Sequence, residues 1–198
     1  MEFEQIVEKI SNRQDEILSN ITIEDVVIYV FLKNEYNKSN ILSNFVFQFV
    51  FKTWYGLNNA GLSDEIKVHY FELLKNKQTD LRIILSELYE IPMLRGMHAI
   101  QFAFATKLLH TINNDYPIFD SKVGNVINKR VTGRNKNEKI DSCIEIYDYL
   151  IDLYKKLIIN EQIKKIFLNF RSKFQVNDEE MSNIKVLDFL IWSLGRLE

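Results

Sequence analysis

The stretch that decides the fold runs from Phe104 to Val123 and reads FATKLLHTINNDYPIFDSKV. Its first half repeats apolar residues at helical spacing. The polar segment that follows ends in a proline, and the residue before a proline avoids helical geometry. Asp120 and Ser121 then come where apolar spacing resumes, and both residue types are preferred helix N-caps. The stretch therefore predicts two helices, Phe104–Ile112 and Ser121–Val131, joined by a loop, with Asp120 at the start of the second.

The rest of the chain shows the same helical spacing of apolar residues. Before the opening stretch, it predicts helices at Glu2–Ser19, Ile23–Tyr36, Ser39–Tyr55, Ser63–Lys75, Asp80–Glu90 and Met97–Thr111. Three apolar stripes follow, over residues 140–158, 163–174 and 184–194. The runs 27–31 and 45–51 are rich in β-branched or aromatic residues, so their pattern also fits strands.

These patterns predict a single all-α domain over residues 1–198, with about nine or ten helices. The polar stretch 132–138 is the expected exposed loop, and it is the boundary if the compact domain has two lobes. Apolar residues form 46% of the chain, which is enough for a sizeable core, and 13% are aromatic. With only 6 Gly and 2 Pro, the chain lacks the turn residues that an all-β fold requires.

Composition also limits where the protein works. One cysteine, Cys143, excludes an internal disulfide framework and fits a reducing compartment. The three histidines are too scattered for a structural zinc site, so no metal is expected. The first residues lack the basic and apolar regions of a signal peptide, and no apolar stretch is long enough to cross a bilayer. We therefore expect a cytoplasmic protein with no membrane partner.

The charge is unevenly distributed. The net charge of −2 counts mildly against binding that depends mainly on phosphates. Between residues 122 and 139, however, there are six cations and one acid, Glu138. A charge run is usually a solvated face, but this one adjoins Asp120. The expected contacts to DNA phosphates are Lys122, Lys129, Arg130, Arg134 and Lys136.

Several common sites are excluded by their missing motifs. The isolated glycines form no phosphate-binding loop, and neither a G-x-S-x-G elbow nor an H-E-x-x-H motif occurs. Cys143 lies within an apolar stripe and is expected to be a small core residue. Lys107 and His110, three residues apart, share a helix face that we interpret as a solvated edge.

The segment from Met97 to Arg130 resembles the helix-hairpin-helix DNA glycosylase superfamily, which includes endonuclease III. Members carry a motif L-P-G-V-G, a basic residue or two, T-A, an apolar helix, and then V-D-T-H-V-x-R-V-x-N-R. In this chain Phe104-Ala105 matches T-A, and FDSKVGNVINK, residues 119–129, matches the last part. The resemblance implies a two-lobed all-α fold that binds duplex DNA.

The resemblance also implies roles for particular residues. Asp120 would be the catalytic carboxylate, stabilising an oxocarbenium-like sugar and orienting or deprotonating a water. The target base would be flipped into a pocket between the lobes. The residues expected to supply aromatic walls and amide contacts there are Trp54, Tyr55, Asn58, Asn59 and Tyr116. No cysteine cluster follows the motif, so no iron–sulfur cofactor is expected.

The chain departs from the family at two points. The hairpin aligns with residues 97–101, which contain no glycine, or alternatively with residues 94–97, which include Gly96 but shift the spacing. The lysine that forms a Schiff base in bifunctional members falls on Ala103, so base release without strand cleavage is expected. Three interpretations stay open: a monofunctional glycosylase-like enzyme, a non-catalytic helical scaffold or regulatory protein with the same fold, and an unrelated all-α domain in which Asp120 only caps a helix.

Overall fold

The computed structural model describes residues 3–198. Within that range the chain is 68% helical and contains no strand, which confirms the all-α prediction. The eleven helices found there are α1 (Phe3–Asn12), α2 (Gln14–Ser19), α3 (Ile23–Lys38), α4 (Phe45–Trp54), α5 (Asp64–Lys75), α6 (Leu81–Glu90), α7 (Phe102–Ile112), α8 (Ser121–Val126), α9 (Lys136–Ile159), α10 (Glu161–Phe174) and α11 (Asn183–Leu197).

The helix count exceeds the expected nine or ten because the first predicted helix is divided. Arg13, with φ −112° and ψ 18°, separates α1 from α2. The runs 27–31 and 45–51 lie inside α3 and α4, so neither is a strand. Helix α4 begins later than predicted, at Phe45, because the side chain of Asn44 accepts the backbone N–H of Phe47 and caps the helix there.

Helix α8 is shorter than predicted because a Schellman motif ends it. Asn128 adopts a left-handed φ of 53°, and its N–H donates to the carbonyl of Asn125 at 3.1 Å. The N–H of Lys129 donates to the carbonyl of Gly124 at 2.9 Å. These two bonds are the ones that close a helix C-terminus. The predicted Ser121–Val131 helix therefore stops at Val126.

The loop predicted at residues 132–138 is also displaced. Asn135 accepts the backbone N–H of Glu138 at 3.0 Å and caps α9, which begins at Lys136. The connection between α8 and α9 therefore spans residues 127–135, and residues 136–138 form the first turn of a helix. A division into two lobes at this loop stays a prediction.

One continuous cluster of buried apolar side chains extends from Ile6 to Leu194. Helix α11 contributes to it on nearly every side, since most of its residues are buried. Helix α8 lies so close to α11 that a Cβ on Gly195 would be 2.4 Å from the carbonyl oxygen of Lys122. Only glycine allows this approach. The contact places the start of α8, and with it Asp120, against α11. None of the helices in residues 3–198 has the length and apolar character needed to cross a membrane.

Candidate active site

Asp120 caps α8, as the sequence predicts. Its Oδ1 accepts the backbone N–H groups of Lys122 at 2.9 Å and Val123 at 3.0 Å. Its other oxygen, Oδ2, receives no hydrogen bond from residues 3–198 and carries no ion pair. The side chain is half-buried. One oxygen therefore fixes the carboxylate in place, and the other stays free to act on a ligand.

The chain just before Asp120 is anchored to α7 through Thr106. The backbone N–H of Phe119 donates to Thr106 Oγ1 at 3.0 Å. The Thr106 hydroxyl lies 3.1 Å from the carbonyl of Phe119 and equally far from that of Ala103. The ring of Phe119 stacks on that of Phe102, with centroids 4.5 Å apart. Helix α7 thus holds both the backbone and the ring of Phe119. Because Asp120 is the next residue, α7 also fixes its position.

Asp120 lines a cavity of about 170 Å³. Pockets for drug-sized ligands measure roughly 300–1,000 Å³, so this cavity suits a smaller group, of the size of a single ring system. Five helices and the segment before α8 form its walls. The lining residues are Asp25 from α3, Trp54 and Tyr55 at the end of α4, Lys107 from α7, Ile118, Asp120 and Val123 around the start of α8, and Lys185, Asp188, Phe189 and Trp192 from α11.

Aromatic rings supply much of the cavity surface. Trp54 and Tyr55 lie with their ring centroids 4.5 Å apart. Trp192 lines the cavity from α11. Flat, polarisable faces of this kind stack favourably on other rings, including nucleobases. The cavity is thus suited to a planar ligand.

Lys107 is not on a solvated helix edge, which corrects the sequence interpretation. It is half-buried beside the cavity, and its Nζ donates to the carbonyl oxygen of Tyr55 at 2.9 Å. The same ammonium lies 5.0 Å from the ring centroid of Phe104 and 5.5 Å from that of Tyr55. Burial lowers the pKa of Lys107, while the negative charge of Asp120 acts in the opposite direction.

His110, on the same face of α7, is fully buried, so it is not at a solvated edge either. Its Nδ1 lies 2.7 Å from the carbonyl of Tyr116, which assigns the proton to Nδ1. Its Nε2 is buried and has no hydrogen-bond partner in residues 3–198. Burial, assisted by the positive charge of Lys185, lowers the pKa of His110 to about 3. The imidazole is therefore neutral at physiological pH.

Two charged residues of α11, Lys185 and Asp188, lie buried at the same cavity. The Nζ of Lys185 is 4.0 Å from Oδ2 of Asp188, and it stands over the ring of Phe189 at 4.6 Å. Burial lowers the pKa of Lys185 to about 8 and raises that of Asp188 to about 7, and each charge partly offsets the effect of burial on the other.

The structure separates the residues expected to form a base pocket. Trp54 and Tyr55 line the cavity together with Asp120. Asn58 and Asn59 are exposed in the turn after α4 and do not line it. Tyr116 is half-buried and lies outside the lining, where its carbonyl accepts the bond from His110. The cavity therefore has aromatic walls where they were expected, but its polar groups come from other residues.

The five residues expected to contact DNA phosphates differ in exposure and in ion pairing. Arg130 and Arg134 are exposed and form no ion pair with residues 3–198. Lys122 and Lys129 are half-buried, and the Lys129 ammonium lies 4.4 Å from the ring centroid of Tyr149. Lys136 forms an ion pair with Glu90, and its ammonium lies 5.3 Å from the ring centroid of Tyr89. Lys136 is therefore already paired with an acid from α6, which Arg130 and Arg134 are not within residues 3–198.

The family hairpin could align with residues 97–101 or with residues 94–97, both in the connection between α6 and α7. Helix α7 begins at Phe102 rather than Met97, so residues 97–101 are not helical. Gly96 adopts a left-handed φ of 75°, and its N–H donates to the carbonyl of Met93 at 2.8 Å. The N–H of Met93 in turn donates to the carbonyl of Met97 at 2.9 Å. The tight turn thus coincides with the placement over residues 94–97.

Sequence reasoning missed four of the polar residues at the cavity, namely Asp25, Lys107, Lys185 and Asp188. A signal for the two on α11 was present. Residues 184–192, IKVLDFLIW, are, apart from these two charges, apolar around almost the whole helix, and such a helix is buried on all sides. A charged residue within it must then face the interior. In residues 3–198, no group of three His, Cys, Asp or Glu is placed to hold a metal ion.

No protein-family model, curated protein or solved structure matches the chain. The features that point to a function are therefore the motif around Asp120 and the geometry of the cavity.

Proposed function

We propose that the protein binds duplex DNA and hydrolyses the N-glycosidic bond of a base flipped into the cavity, with Asp120 as the catalytic carboxylate. The observation that carries this proposal is the placement of Asp120. Its Oδ1 is held by two backbone N–H groups, its Oδ2 has no hydrogen-bond partner in the described part of the chain, and the residue lines an aromatic-walled cavity. A preorganised charge of this kind stabilises a transition state without having to reorganise during the reaction.

The proposed reaction breaks the bond between C1′ of the sugar and a ring nitrogen of the base. The electron pair of this bond leaves with the base, and positive charge develops on the sugar. The Asp120 carboxylate offsets that charge and takes a proton from the water whose oxygen bonds to C1′. Lys107, at the same cavity, places an ammonium where it offsets the negative charge on the departing base.

Base release without strand cleavage is the expected outcome. Ala103 stands where bifunctional relatives of the motif carry the Schiff-base lysine, and Lys107 Nζ donates to the Tyr55 carbonyl. The test uses duplexes that each carry one of a panel of damaged or modified bases. Free base is measured directly, and strand breaks are measured before and after alkali. The proposal predicts free base and alkali-dependent breaks only. A borohydride-trapped covalent complex would contradict it.

DNA contact is expected through the exposed cations Arg130 and Arg134. Replacing either with Gln should weaken duplex binding and make the salt dependence shallower by about one unit of slope, because one fewer counterion is released. Lys136→Gln is the matched control, since Lys136 is paired with Glu90 and should change the slope less. Equal slopes for all three variants and the wild type would contradict this placement of the DNA.

A non-catalytic helical scaffold is the second candidate function. The observation that favours it is that capping alone accounts for both hydrogen bonds of Asp120. A protein of this kind would bind duplex DNA at low salt and release no base from any substrate in the panel. The excision assay described above therefore separates the two functions.

A further inference from the structure

Two buried charged side chains line the cavity, and part of their hydrogen-bonding capacity is unused. Lys185 and Asp188 are each 4% exposed. Asp188 Oδ1 accepts the N–H of Ile118 at 3.1 Å and the hydroxyl of Tyr154 at 2.9 Å. Its Oδ2 is buried and has no hydrogen-bond partner among residues 3–198. No acceptor in residues 3–198 takes a hydrogen bond from Lys185 Nζ, and Asp188 Oδ2 is 4.0 Å away.

A buried oxygen without a hydrogen-bond partner, such as Asp188 Oδ2, is costly inside a folded protein. Burial removes the hydration of this carboxylate oxygen, and the Lys185 ammonium at 4.0 Å is too distant to replace it with a hydrogen bond. Folded proteins satisfy nearly all such groups, and exceptions call for an explanation such as a bound ligand. Both side chains line the cavity beside Asp120. A ligand in that cavity would supply the missing acceptor and donor.

We infer that Lys185 and Asp188 together bind the edge of a nucleobase on which a hydrogen-bond acceptor stands next to an N–H donor. The acceptor, a carbonyl oxygen or ring nitrogen, takes a hydrogen bond from Lys185 Nζ, and the N–H donates to Asp188 Oδ2. At 4.0 Å these two protein atoms are too far apart to bond each other, yet near enough to reach one planar edge. Trp54 and Tyr55 supply the ring faces.

This inference rests on the proposed function, because it names the class of base that the same cavity takes. It also names a class that the cavity rejects. An alkyl group on the ring nitrogen removes the N–H donor and leaves the Asp188 carboxylate without a partner, and a site built to form a hydrogen bond discriminates strongly against an analogue that lacks it. Bases alkylated at this edge are therefore excluded.

The first test compares two free bases on the full-length wild-type chain. The only two tryptophans, Trp54 and Trp192, both line the cavity, so their fluorescence reports on its occupancy. Hypoxanthine is used as its 9-methyl derivative, so that its imidazole ring carries no N–H, and it then presents a carbonyl next to the single ring N–H at N1. The form methylated also at N1 lacks that N–H. Hypoxanthine should bind about tenfold or more tightly than the form methylated also at N1. Equal affinities, or no binding of hypoxanthine, would overturn the inference.

The second test changes the protein. Asp188→Asn keeps an Oδ1 acceptor for Ile118 and Tyr154 but replaces the free oxygen with an N–H₂ donor. Lys185→Met keeps a long stem and removes the ammonium. Each change should weaken hypoxanthine binding about tenfold or more.

The matched controls are Asp15→Asn and Lys165→Met, at exposed positions on α2 and α10, and both should bind like the wild type. Wild-type affinity in both cavity variants would overturn the inference. Should Lys185→Met fail to fold, the comparison of the two bases on the wild type still decides.

The results also separate this inference from the proposed function. If hypoxanthine binds through Lys185 and Asp188 but no duplex releases a base, the binding site stands and the proposed excision fails. If a duplex releases its base while Asp188→Asn leaves the affinity for hypoxanthine unchanged, the proposed excision stands and the inferred site is wrong.

Discussion

Thr106→Val should destabilise the protein more than its small change in shape suggests. Valine has nearly the volume of threonine but replaces the hydroxyl with a methyl group. The Thr106 hydroxyl accepts the N–H of Phe119 at 3.0 Å in a fully buried position. Without it, that N–H is left unpaired, which costs about 1–3 kcal/mol, and the bond to the Phe119 carbonyl is lost as well. We expect a total loss of about 2–3 kcal/mol in the free energy of unfolding.

Thr106→Ser is the matched control for this prediction. It keeps both hydrogen bonds and removes one methyl group, which corresponds to about 1 kcal/mol. In a chain of this length 1 kcal/mol corresponds to roughly 2–4 °C in Tm, so the valine variant should melt about 5–10 °C below the wild type and clearly below the serine variant. Calorimetry or circular dichroism on the purified proteins measures the three melting temperatures. A valine variant as stable as the serine variant would refute the role given to the Thr106 hydroxyl.

Two further predictions concern stability. Below pH 6.5 the unfolded chain protonates His110, whereas burial holds the folded pKa at about 3, so this group makes the protein less stable as pH falls. Asp188, with its pKa raised to about 7, acts in the opposite sense. The measured quantity is the difference in the free energy of unfolding between the wild type and His110→Gln, from denaturant titrations. As pH falls from above 6.5 to 5, the wild type should lose about 2 kcal/mol relative to the variant, and a difference that does not change with pH would contradict this. Gly195→Ala should lower Tm by several degrees, although alanine favours helix, because its Cβ would lie 2.4 Å from the Lys122 carbonyl oxygen; a raised Tm would show that α8 is free to shift.

The features that sequence reasoning found are local in the chain. Asp120 and the helix it caps are three residues or fewer apart, so cap preference and proline geometry were sufficient to predict them. Most helices were likewise predicted because apolar spacing repeats within a single helix. The end of α8 was missed because Asn128, rather than glycine, takes the left-handed position that closes it.

The features that were missed depend on tertiary packing. Lys107 has the spacing of a surface residue, and only the folded chain shows its ammonium against the carbonyl of Tyr55. Lys185 and Asp188 lie more than sixty residues from Asp120 in the chain, and α11 joins them to it through the close contact at Gly195. Conversely, Asn58 and Asn59 come only three and four residues after Tyr55 but are exposed to solvent. Proximity in sequence therefore predicted the aromatic wall of the cavity and not its polar groups.

The most direct test of the central claim compares wild-type protein with Asp120→Asn on the duplex panel. Asparagine keeps an oxygen that can accept the N–H groups of Lys122 and Val123, and it caps helices about as well as aspartate, so Tm should change little. Asparagine neither takes a proton nor offsets a developing positive charge. We therefore predict that single-turnover base release falls by about 10²–10⁴-fold while duplex affinity is unchanged. A wild type that releases a base, with an Asp120→Asn variant that releases it at the same rate, would contradict the catalytic role of Asp120.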